Sequence, residues 1–97
     1  MKSVRQYNET DKQCAIVYLA NALLNDYRLS KKTGLFVKSE SSYLRDRYRD
    51  LNIFNQAFDL SRKYANDVDL IERLEPIVSR GRNGKFEGVK VIYKESV

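Results

Sequence analysis

The sequence runs to 97 residues, 42% hydrophobic and 32% charged, which suits one packed domain and is too apolar for a disordered tail. A net charge of +5 and a pI near 9.4 point to an anionic partner such as nucleic acid or an acidic protein surface. With no histidine and a single cysteine, Cys14, the commonest general base, most zinc sites, thiolate clusters and internal disulfides are excluded.

Residues 1–9 read as a basic lead-in without the apolar stretch of a signal peptide. The longest apolar run, residues 14–20, is far shorter than a membrane span. The expected setting is cytoplasmic, with no membrane contact. Thr10-Asp11-Lys12-Gln13 has the form of a capping box and predicts a helix that runs to about Leu29. Between Cys14 and Leu24 only Asn21 is polar, so this helix needs cover on most sides, from the rest of the fold or from a second copy in a homodimer. Cys14, beside Ala15, Ile16 and Val17, reads as a buried structural thiol.

Residues 30–34 read as a loop that stops the helix at Gly34, and residues 35–38 as a short extended segment. A second helix is predicted over about residues 41–51, turning Leu44, Tyr48 and Leu51 to the core. A third covers about residues 53–65, with Phe54, Ala57, Phe58, Ser61 and Tyr64 on its apolar stripe. By the same spacing Tyr18 belongs to the core. Asp67 is read as the cap of a short fourth helix, residues 68–75, which Pro76 ends by withholding an amide donor.

Residues 77–94 read as a β-hairpin, because two apolar-rich runs flank Asn83-Gly84, a dipeptide suited to the positive φ angles of a tight turn. Alternation puts Lys90, Ile92 and Lys94 on one face of the second strand, and Val89, Val91 and Tyr93 on the face that packs. Phe86, just past the turn, either packs down or projects as a contact residue. Arg80, Arg82, Lys85, Lys90 and Lys94 meet a single acid, Glu87, within this stretch. A β-ribbon with a cationic tip can straddle a phosphate backbone, which makes these five cations the expected nucleic-acid contacts. Arg45 and Arg49 share a helix face at i, i+4 and form a second candidate pair. The same stretch also reads as a solvated surface, with Asp46–Arg49 and Arg47–Asp50 pairs at i, i+3.

The expected class is α+β, with about four helices and a C-terminal β-hairpin. The order of long helix, two shorter helices, a fourth short helix and a basic hairpin resembles the layout of winged helix-turn-helix DNA-binding domains. That resemblance implies a regulatory protein on duplex DNA. Residues 67–75, however, carry Asp67, Asp69, Glu72 and Glu75 against only Arg73, a charge that a duplex would repel. No glycine-rich phosphate loop of the P-loop or dinucleotide type is present, and neither an enzyme nor a cofactor or metal is expected. Two functions remain. One is nucleic-acid binding, with duplex DNA favoured. The other is a protein-interaction module, a regulator or inhibitor that docks on an acidic partner surface. The first should weaken steeply with salt, whereas the second need not bind DNA at all.

Overall fold

Asn8 opens the first helix, accepting the Asp11 N–H on its Oδ1 at 2.7 Å, and the computed structural model describes residues 8–34, 51–81 and 84–95. Helix α1 spans Glu9–Thr33. Glu9 and Asp11 lie in its first turn and Lys31 and Lys32 in its last, each matching the local sign of the helix dipole. Gly34, at φ 74°, ends it in the left-handed conformation that glycine adopts most readily. The cap therefore lies two residues ahead of the capping box read from Thr10 and Gln13. Gln13 turns back to Glu9 instead, and the Thr10 hydroxyl reaches another part of the chain.

Helix α2 spans Leu51–Lys63, close to the predicted third helix, and a 3-10 turn follows at Ala65–Asp67. The extended segment predicted at residues 35–38 and nearly all of the second helix predicted at 41–51 fall outside the described residues. The predicted fourth helix is corrected. Residues 68–70 turn, and strand β1, Ile71–Val78, begins directly after them, antiparallel to β2, Phe86–Tyr93. The expected layout of about four helices in winged-helix-like order thus gives way, among the described residues, to two α-helices and one two-stranded hairpin, an α+β arrangement.

The error has a physical source. Val68, Ile71 and Leu74 are all buried, and their spacing of three imitates a helical stripe. In the strand that spacing comes from a bulge: the register steps from Ile71↔Tyr93 to Arg73↔Ile92. One extra residue on β1 returns Leu74 to the face of Ile71. Pro76 is accommodated because of the edge it occupies. Both the N–H and the C=O of Leu74 bond to Asn21 rather than to β2, so Leu74 points its backbone outward, and so does Pro76 two residues on. A proline there gives up no ladder bond.

The core lies between α1, α2 and one face of the hairpin. Leu19, Ala20 and Leu24 of α1 are fully buried with Ala57 and Ile71, and Phe86, Val89 and Val91 pack against this cluster. Each fully buried leucine stabilises the fold by about 1.5–3 kcal/mol. Cover for α1 is thus supplied within one chain, and its apolar girth requires no second copy. Phe86 packs down, as one of its two readings held. Tyr18 and Phe58 depart from the expected core, at 53% and 40% exposed. Cys14 is half-buried. Among the described residues no helix is long and apolar enough to cross a membrane.

Candidate nucleic-acid interface

Three polar side chains of α1 hold the hairpin in place. Thr10 Oγ1 donates to the Gly84 carbonyl at 2.9 Å. Asn21 donates to the Leu74 carbonyl and accepts its N–H, both at 2.8 Å. Arg28 donates through Nε to the Val68 carbonyl at 3.0 Å and through Nη2 to the Ile71 carbonyl at 2.6 Å. Positions 10, 21 and 28 fall on one helical stripe, because 11 and 18 residues are close to whole numbers of turns. Eighteen helical residues rise about 27 Å, which matches about eight strand residues. Helix α1 therefore runs the length of the hairpin, from its tip at Gly84 to its open end at Ile71.

The tip is a longer loop than a two-residue Asn83-Gly84 turn. Strand β1 stops at Val78 and β2 starts at Phe86. Ser79 and Lys85 close the loop between them, the Ser79 N–H donating to the Lys85 carbonyl and the Lys85 N–H to Ser79 Oγ. Gly81 takes the positive φ, at 141°. Gly84 is needed for space, since a Cβ there would stand 2.8 Å from Val78 Cγ1.

Of the seven candidate cations, Arg45, Arg49 and Arg82 lie outside the described residues. Arg80 and Lys85 flank the loop and are exposed. Lys90 is exposed in mid-strand and stands opposite Glu75 in the register. Lys94 follows the end of β2, on the order of 30 Å of strand from Lys85. There its N–H donates to the Leu70 carbonyl. The hairpin thus carries a cationic tip and a separate lysine at its open end, with Lys90 offset by an acid between them. The first turn of α1, which Thr10 ties to the tip, also brings Glu9 and Asp11 to that end, so the tip field is moderated by two acids.

Away from the tip, some cations have partners, whereas Lys32, Lys63, Lys90 and Lys94 make no ion pair among the described residues. Lys31 Nζ pairs with Asp69 at 2.6 Å, and Arg73 binds Glu75 through Nη2 at 2.6 Å and also holds Glu72. The hydrogen bond and charge of Lys31, with smaller contributions from Lys94 and Arg28, hold the Asp69 carboxyl below its ordinary value of 3.8. Of the four acids of residues 67–75 that argued against a phosphate partner, Asp69 is thus offset by Lys31, while Glu72 and Glu75 share Arg73 and Asp67 makes no ion pair among the described residues.

Comparison with family models, curated proteins and solved structures finds no match to this chain. Asn21 and Arg28 are functional to the fold without belonging to any motif of the sequence. Asn21 carried a signal: a lone amide inside an apolar helical run needs a buried partner, and a strand edge supplies one.

Proposed function

We propose that this protein binds a nucleic-acid backbone through the tip of its hairpin, with Arg80, Arg82 and Lys85 as phosphate contacts and duplex DNA as the first ligand to test. The observation that supports this reading is the exposure of the tip cations without an ion pair among the described residues, a state that Lys90 and Lys94 of the same hairpin share. Lys31 and Arg73 are ion-paired and Arg28 is bound to carbonyls. Arg80 and Lys85, by contrast, are exposed and make no ion pair among the described residues. An unpaired surface cation meets a phosphate without first giving up a protein partner, and releases a counterion from the nucleic acid as it does so. Contacts of this kind set position and affinity and carry no base preference.

The test is the salt dependence of binding to a labelled duplex, measured by fluorescence anisotropy. Replacing Arg80, Arg82 and Lys85 by alanine together should flatten the logarithmic slope by about two to three units. A parent protein that binds neither duplex nor single strands at low salt would overturn the reading.

A second reading, a module that docks on a partner protein, is favoured by one feature of the open end. Leu70 and Tyr93 are 62% and 60% exposed there and line a shallow hollow with Asp69, Lys94 and Glu95. Binding to a partner through this surface would survive nuclease treatment and would be lost on Leu70→Ser, whereas tip variants would leave it intact.

A further inference from the structure

The hairpin tip is held from two sides. Within the hairpin, the Ser79 N–H donates to the Lys85 carbonyl at 2.9 Å, and the Lys85 N–H donates to Ser79 Oγ at 3.0 Å. These two bonds join the ends of the loop to each other and leave open where it lies against the rest of the fold. From outside the hairpin, Thr10 Oγ1 donates to the Gly84 carbonyl at 2.9 Å, a partly buried contact. Gly84 is also pressed against its own hairpin, the place of an added Cβ lying 2.8 Å from Val78 Cγ1 and 3.2 Å from the Ser79 carbonyl oxygen. Thr10 stands on a fixed base, because Asn8 binds the Asp11 N–H through its side chain at 2.7 Å and the Lys12 N–H through its carbonyl at 3.0 Å. The bonds therefore form one unbroken series, from the start of α1 through Thr10, Gly84 and Lys85 to Ser79, the neighbour of Arg80. No other side chain from outside the hairpin bonds to the described residues of the loop.

We infer that Thr10 is a positioning residue for the tip: its hydroxyl holds the loop against α1, so that Arg80 and Lys85 are offered in one fixed arrangement. A neutral donor suits this task, because it orders the loop without adding or removing charge beside the two cations. A phosphate backbone then meets groups whose freedom was already given up on folding, and binding loses less conformational entropy. Without the bond, Ser79 and Lys85 still close the loop, but the closed loop is free to swing away from α1. Positioning and contact have different signatures. The salt slope of binding counts the phosphates neutralised, and Thr10 neutralises none. Losing Thr10 thus lowers affinity by the same factor at every salt concentration, whereas losing Arg80 or Lys85 changes the slope. The ordering of the tip stands on the hydrogen bonds alone; its effect on affinity rests on the phosphate contacts proposed above.

Trypsin reads the ordering directly, because it cuts after Arg80 and Lys85 and a peptide bond must leave its folded arrangement to be cut. Thr10→Val keeps the shape of the side chain and removes the donor. It should raise cleavage after Arg80 and Lys85 by about three- to tenfold, the loss of one hydrogen bond, and leave cleavage after Arg73 and Lys90 in the strands at the parent rate. Thr10→Ser restores the hydroxyl and should return the tip to the parent rate. By fluorescence anisotropy, Thr10→Val should bind a labelled duplex about three- to tenfold more weakly at an unchanged salt slope. If Thr10→Val fails to fold, the parent decides: by NMR the Thr10 side chain should hold one χ1 rotamer and show a nuclear Overhauser contact to Gly84. Unchanged tip cleavage in Thr10→Val, cleavage raised alike at every site, no rescue by Thr10→Ser, an altered salt slope, or a rotamer-averaged Thr10 without that contact overturns the inference. A parent that binds no nucleic acid while its tip cleavage still follows Thr10 overturns the proposed function and leaves the ordering of the tip in place.

Discussion

The two ends of the hairpin carry similar charge and put it to different use. At the open end Arg28, Lys31 and Arg73 are bound to carbonyls or carboxylates of the same chain. At the tip Arg80 and Lys85 are exposed and make no ion pair among the described residues. Those three cations at the first end hold the fold together, whereas the two at the tip, like Lys94 beside the first end, are available to something else. The net charge of the chain cannot distinguish these cases, because it weighs every cation alike. What separates them is whether a partner lies within hydrogen-bonding distance.

Four outcomes would break or sharpen this contrast. The largest effect belongs to the seam that holds the hairpin. Asn21→Leu leaves the N–H and C=O of Leu74 unpaired beside an apolar side chain, and should lower stability by about 2–3 kcal/mol in urea denaturation. Arg28→Met keeps much of the aliphatic stem and loses the bonds to Val68 and Ile71, with an expected cost of about 1–2 kcal/mol. Arg80→Ala with Lys85→Ala should move stability by less than about 0.5 kcal/mol. A larger loss would mean that the tip cations are structural after all. The smallest effect is at Asp69. Its folded-state pKa lies below the unfolded value, so its pairing with Lys31 stabilises above about pH 3.8 and is lost as pH falls through the lowered value. Asp69→Asn should therefore shift Tm slightly at neutral pH and low salt, and not at all in strong acid or high salt.

Much of the fold can be read from the sequence where one signal stands alone. The apolar run from Ala15 to Leu24 and the stop at Gly34 mark α1, and glycines between two apolar runs mark the turn and second strand of the hairpin, whose first strand begins at Ile71, six residues before the expected start. Residues 68–75 mislead because two devices act together. A turn followed by a bulge reproduces helical spacing in Val68, Ile71 and Leu74, and Pro76 looks like a helix stop when it is an edge-strand residue facing outward. The tip cations are legible as a cluster, but their freedom from partners is not. That depends on where Glu72, Glu75 and Asp69 fold, and their positions follow from the strand that was misread. Asn21 shows the converse: its oddity in an apolar run was visible, while its partner, 53 residues away, was not.

The link between Thr10 and Gly84 spans 74 positions of sequence, and this separation has a consequence for the order in which the protein is made. Helix α1 ends at Thr33, and β2 does not begin until Phe86. At about 5–20 residues per second, roughly 3–10 s pass on the ribosome between the two. Throughout that interval Leu19, Leu23 and Leu24 have no hairpin to close over them. The nascent helix is then an apolar segment of the kind that chaperones hold, and a chain cut short before β1 would keep that exposure for good. Folding that must wait for contacts so distant in sequence is slow for a domain of this size, and a synonymous change that delayed synthesis of residues 71–93 would act on yield without altering the folded protein.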